Sequence, residues 1–123
     1  MPTIPAHAIG GVITGWGTAL PSKVVTNDDL SKTMETSDEW IRERTGIHRR
    51  HIGGSTADLS LESGRIAMEM AGVSADQIDA LVLSTTTPDR QVPATSATVQ
   101  HLLGLKCGAF DINAACSGFV YGL

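Results

Sequence analysis

Apolar and polar positions alternate in two registers along the chain, and together they predict a series of short strands and helices. Positions 9–20 mix apolar residues with four glycines and stop at Pro21, a pattern that predicts a sharply turning strand. Thr26 followed by Asp29 predicts a helix cap, with a short helix running to about Met34. Ser37 opens a second helix with Asp38 and Glu39 in its first turn and Gly46 as its stop; Trp40 and Arg44, four apart, project from one face of it. From Asp58 onward Leu59, Ile66, Met70 and Val73 recur at helical spacing, predicting the longest helix, closed near Gly72. Ser74 and Gln77 predict a capped single turn, and the apolar run 80–83 a buried parallel strand. That strand ends in the polar run Ser84, Thr85, Thr86, Thr87, at the edge where open α/β sheets place ligands. Pro93 introduces a helix over 95–103 capped by Gly104, and 109–112 reads as another short strand. Alternating strands and helices imply a layered α/β fold.

The 123 residues fall within the range of one domain, and 41% apolar with 18% charged residues is an ordinary globular balance. A net charge of −4 argues against a nucleic-acid-binding module. Locally, Arg42, Arg44, Arg49 and Arg50 face a single acid, Glu43. This cluster reads either as a solvated helix end and loop or as an attractor for a small phosphorylated ligand. Cys107 and Cys116 lack metal-ligand spacing, so neither a disulfide framework nor a metal is expected. The start lacks the pattern of a secretory signal, and no run of about eighteen apolar residues occurs, so a cytoplasmic protein without a membrane span is expected. The sequence stops at Leu123 as a new apolar helix starts, and a truncation is the expectation.

Candidate chemistry centres on Cys116, in the small-residue turn from Asn113 to Gly118, between a strand and the next apolar stretch. A thiol at a helix amino terminus has its thiolate favoured by the helix dipole, and amides of the turn can face a developing oxyanion. Alanines and Gly118 leave room for close approach. The alternative is a small buried hydrophobe, which is also the reading for Cys107. Trp40 taken alone reads as a packing residue or as a stacking platform beside Arg44. The pair Gly15 and Gly17 does not complete a dinucleotide fingerprint, because Leu20 stands where a third glycine belongs.

Several motifs in register resemble one family. The residues Thr36 to Ile41, Arg44 to Ile47 and Arg50 to Ile52 are similar to the amino-terminal signature of ketoacyl synthase III, and Phe110 to Phe119 to its active-site cysteine motif. Gly17 to Pro21, Val25 to Asn27 and Leu83 to Thr87 fall in the same order. The resemblance implies a thiolase-like layered α/β fold of two similar halves, of which residues 1–123 form the amino-terminal half, incomplete and without a second domain. It implies that Cys116 takes a short acyl group from acyl-CoA and passes it to a carbanion formed by decarboxylation of malonyl-acyl carrier protein. Thr36, Trp40 and Arg44 match the residues that contact CoA, with Trp40 stacking on the adenine. Val92 matches a position that shapes the acyl pocket of the partner in a homodimer. No cofactor is implied, since acyl-CoA is a substrate.

The family's His and Asn have no counterpart here and belong to a carboxyl-terminal half. His7, His48, His51 and His101 match none of its catalytic positions and read as surface or packed imidazoles. The chain alone is therefore expected to be inactive. Two other readings stay open: a related ketosynthase of polyketide or other secondary metabolism, and an inactive fragment that contributes half of a thiolase-like assembly.

Overall fold

The computed structural model describes residues 10–123. His7 and the first residue of the predicted strand 9–20 lie outside the described residues. Two small sheets organise the described residues. β1 (Val24–Thr26) pairs antiparallel with β2 (Arg49–His51), Val24 opposite His51 and Thr26 opposite Arg49. β3 (Ala80–Ser84) pairs parallel with β4 (Gly108–Ile112), from Ala80 opposite Gly108 to Ser84 opposite Ile112.

Helices α1 (Asn27–Ser31) and α2 (Asp38–Thr45) fill the connection between β1 and β2. Thr26 and Asp29 form the reciprocal cap of α1; Ser37 caps α2, which ends on Gly46 at φ 70°. α3 (Thr56–Ala71) begins at its Ser55 cap, two residues earlier than the apolar spacing indicates, and closes on left-handed Gly72. Ser74 and Gln77 cap a single turn over Ala75–Gln77. α4 (Thr95–Leu102) packs on α3 and on both strands of the parallel pair, and α5 (Gly118–Gly122) packs on β3. Val99 of α4, 1% exposed, is the centre of this layer, with Leu105 and Ala57 also buried.

The strand predicted over 9–20 is absent from residues 10–20, which run without ladder partners. The glycines explain what replaces it. A Cβ on Gly15 would meet the carbonyl of Ala67, and one on Gly17 that of Ser63, so the backbone lies directly against α3. Among the described residues, no helix is long and apolar enough to cross a membrane.

Candidate active site

Cys116 is placed by the end of the parallel pair. Just beyond β3 the Thr85 amide donates to the carbonyl of Ile112, the last residue of β4, at 3.0 Å, which extends the pairing by one step. The chain then passes Asn113 and Ala114 into a tight turn over Ala115–Ser117 and directly into α5. Ala115 has φ 46°, a left-handed conformation that a residue with a Cβ adopts at a cost of about 1–2 kcal/mol. The side chain of Asn113 accepts from the Ala115 amide at 3.3 Å, and Ser117 donates to the Ala114 carbonyl at 2.9 Å. Strain of this kind persists where the surroundings fix it, and it sits one residue before the thiol.

The thiol is free and exposed, in an open depression of about 420 Å³ that it shares with Ser84, Thr85, Thr86 and Ala115. The polar run at the carboxyl end of β3 thus faces the cysteine turn. Gly118 has a different reason from the one its smallness indicates. A Cβ there would strike the Ser84 hydroxyl, so the space beside it is filled by β3 and not left for a ligand. Cys107 is half-buried at the entry to β4, its carbonyl accepting from the Gln100 side chain at 2.8 Å.

Trp40, 52% exposed, stands in the first turn of α2, where its amide donates to the Ser37 hydroxyl at 3.1 Å. The Arg44 guanidinium lies 4.4 Å from the indole centroid, in cation–π geometry. Glu35, Thr36, Ser37 and Trp40 line a depression of about 400 Å³, and the Thr36 hydroxyl is buried without a hydrogen-bond partner. A buried hydroxyl without a partner is a costly arrangement that an added acceptor or donor would relieve.

Asn27 holds α2 in place. At 1% exposure, its amide nitrogen donates to Asp38 Oδ1 and to the Ile47 carbonyl, both at 2.8 Å, and its oxygen accepts from Arg50 Nη2 at 2.7 Å. The Asp38 carboxyl is held below its ordinary value chiefly by the Asn27 hydrogen bond; Arg42 and His48 add to this and desolvation opposes it. His51 Nδ1 donates to the Pro21 carbonyl at 2.7 Å, a packed imidazole, whereas His48 and His101 are exposed.

Two further acids were not singled out by sequence reasoning. Asp111 on β4 accepts from the amides of Thr95 and Ser96 at 3.0 and 2.8 Å, capping α4 from a neighbouring strand. Asp89 accepts from the amides of Thr56 and Ala57, both at 2.8 Å, and so caps α3 from the loop that follows β3. The signal for Asp111 was an acid inside an apolar strand. For Asp89 there was none.

Thr36, Trp40 and Arg44 come together, and Cys116 lines a separate depression. Val92, 87% exposed on the loop between β3 and α4, lines neither. Among the described residues, no group of three or more His, Cys, Asp or Glu side chains is clustered to hold a metal ion.

No family model matches the chain. A curated relative from Xanthomonas campestris pv. campestris (strain 8004), named beta-ketoacyl-[acyl-carrier-protein] synthase III, is 57% identical over 115 residues, covering 90% of this chain and 35% of the relative. The crystal structure of 3-oxoacyl-[acyl-carrier-protein] synthase III from Aquifex aeolicus VF5 superposes with a TM-score of 0.86 at 43% identity, over 89% of this chain and 36% of that one. The priming beta-ketosynthase from the R1128 polyketide biosynthetic pathway superposes with a TM-score of 0.84 at 34% identity, over 89% and 34%. These likenesses agree with the thiolase-like fold, and the chain spans about a third of the length of the proteins it matches. Through nine-tenths of its own length, the chain is homologous to proteins named beta-ketoacyl-[acyl-carrier-protein] synthase III.

Proposed function

We propose that this chain supplies the acyl-accepting part of a condensing enzyme that initiates fatty-acid synthesis. The Cys116 thiolate attacks the thioester carbonyl of a short acyl-CoA; the tetrahedral intermediate collapses, the CoA thiolate leaves, and the acyl group stays on sulfur. Malonyl-acyl carrier protein then loses carbon dioxide. The resulting carbanion attacks the acyl-cysteine carbonyl, forming the carbon–carbon bond and releasing the Cys116 thiolate. Trp40 stacks on the nucleotide of CoA, Arg44 supplies its charge and Thr36 an unpaired hydroxyl. Val92 shapes the acyl pocket of a partner in a homodimer, and the residues that stabilise the carbanion and oxyanion come from the remainder of the full-length protein. No cofactor takes part, and the cytoplasm is the compartment in which both thioester substrates are met.

The observation that carries this reading is the exposed thiol on a left-handed turn at the end of β4, facing three hydroxyl-bearing residues. The test is intact mass of the full-length protein after incubation with acetyl-CoA and then isobutyryl-CoA, with and without Cys116→Ala. Adducts that vanish in the variant support it; no adduct on a folded, unmodified protein removes it. The likeness to the R1128 priming ketosynthase favours polyketide priming as the second reading. Acyl-CoA profiling separates the two, since a fatty-acid initiator yields a short 3-oxoacyl-carrier-protein product.

A further inference from the structure

The loop over 85–94 carries Thr85 and Thr86, two of the residues that face Cys116, and it has no helix or strand of its own. Side-chain hydrogen bonds fix its shape. Its first residue is tied to β4 through the Thr85 amide and the Ile112 carbonyl. Thr85 Oγ1 accepts from the Thr87 amide at 3.0 Å, and the Thr87 carbonyl accepts from the Thr56 hydroxyl at 2.6 Å. Two residues on, the Asp89 carboxylate takes the first two amides of α3 in a bidentate grip, and the Asp89 amide donates to Thr95 Oγ1 at 3.0 Å. Thr95 is in turn held by Asp111 on β4. The loop is thus clamped to two helix starts and one strand as far as Asp89.

We propose that Asp89 is a positioning residue for the acyl-transfer site: by gripping the amino terminus of α3 it holds the Thr85–Thr86 wall at its distance from Cys116. The proposal rests on the reading of Cys116 as acyl acceptor. Asp89 touches neither the thiol nor its depression, so its effect passes through the loop. Three features favour this over a purely structural cap. The start of α3 already has its own cap, the Ser55 hydroxyl accepting from the Asp58 amide at 3.0 Å. A second hydrogen bond, from the Thr56 side chain, joins the same helix turn to the same loop. The ligand wall lies only three and four positions before the clamp.

These features also provide the control. In the full-length protein, the rate at which a saturating acyl-CoA loads Cys116 is followed by rapid-quench intact mass, together with the acyl-CoA concentration at half-maximal rate. Asp89→Ala is expected to slow loading roughly tenfold or more, the scale on which small misplacements of reacting groups act, with the half-maximal concentration unchanged. Thr56→Val, which cuts the second tie without touching the carboxylate, is expected to slow loading in the same way. Asp89→Asn keeps one acceptor oxygen and should restore part of the rate. Ser55→Ala weakens the same helix end but leaves both ties intact, and should lower the melting temperature while loading at the unmodified rate. Normal loading in Asp89→Ala overturns the proposal, as does slowing in Ser55→Ala equal to that in Asp89→Ala. Failure of the unmodified protein to load Cys116 at all would instead remove the acyl-acceptor reading, and the proposal with it.

Discussion

Replacing Asn27 is the most direct test of how the Trp40 helix is held. Its side chain is buried and makes three hydrogen bonds, to Asp38, Ile47 and Arg50, which bind the start of α1 to the start of α2, to the chain beyond its end and to β2. Asn27→Ala removes all three and leaves the Ile47 carbonyl without this donor. At a net contribution of about 1 kcal/mol for each bond, the expected loss is roughly 3 kcal/mol of unfolding free energy. Asn27→Asp is the sharper variant. It keeps an acceptor for Arg50 but turns a carboxylate oxygen toward Asp38 Oδ1 and the Ile47 carbonyl, two acceptors that each now receive a donor at 2.8 Å. At neutral pH it should therefore destabilise at least as much as alanine, despite being closer in shape. As the pH is lowered, a proton shared between residue 27 and Asp38 restores a donor, and part of the loss should be recovered. Urea denaturation of the full-length protein, with the slope checked for constancy, measures each variant. If Asn27→Asp unfolded within about 0.5 kcal/mol of the unmodified protein at neutral pH, the network would not be what fixes α2.

Three further outcomes follow from the geometry. Ala115→Gly relieves about 1–2 kcal/mol of left-handed strain and returns about 0.4–1 kcal/mol through the freer unfolded chain, so the melting temperature should hold or rise slightly; Ala115→Val should lower it and slow alkylation of Cys116 by iodoacetamide. The Asp38 carboxyl is depressed in the folded protein, so its contribution to stability is full above the unfolded carboxylate value and is lost as pH falls through the folded value. Urea midpoints from neutral to acid pH should accordingly fall less steeply in Asp38→Asn than in the unmodified protein. Gly118→Ala drives a methyl group into the Ser84 hydroxyl and should destabilise the protein; adding Ser84→Ala should recover part of that loss in a double-mutant cycle.

Helix ends were legible because their signals are local. Thr26 with Asp29, Ser37 with Gly46, and Ser74 with Gln77 lie within one element and cap it as the sequence indicates. The short antiparallel pair was not legible: β2 consists of two arginines and a histidine, which read as loop, and its pairing is made with β1, 25 residues away at its centre. Positions 10–20 erred the other way. Their apolar content resembles a strand, but Gly15 and Gly17 serve contact with a helix and not a ladder. At the site, the cysteine turn could be read from its small residues. The left-handed Ala115 could not, because alanine carries no signal for positive φ. Asn27, Asp89 and Asp111 act on partners 11 to 33 positions away, beyond the reach of any spacing rule.

The turn before Cys116 also shows how a strained alanine is maintained. A left-handed residue in an unanchored loop would relax, since rotation of one φ removes the clash. Here both flanks are fixed by contacts that such a rotation would break. On the strand side, Asp111 is bound to two amides of α4, and Ile112 continues the ladder to Thr85. On the helix side, Gly118 lies so close to Ser84 that α5 cannot slide toward the strand. Each of the three hydrogen bonds is worth about 1 kcal/mol, so losing even two would cost as much as the strain that relaxation recovers. The balance keeps Ala115 left-handed and the thiol exposed. It also locates the support of the candidate nucleophile in Asp111 and Gly118, neither of which lines the depression in which the thiol stands.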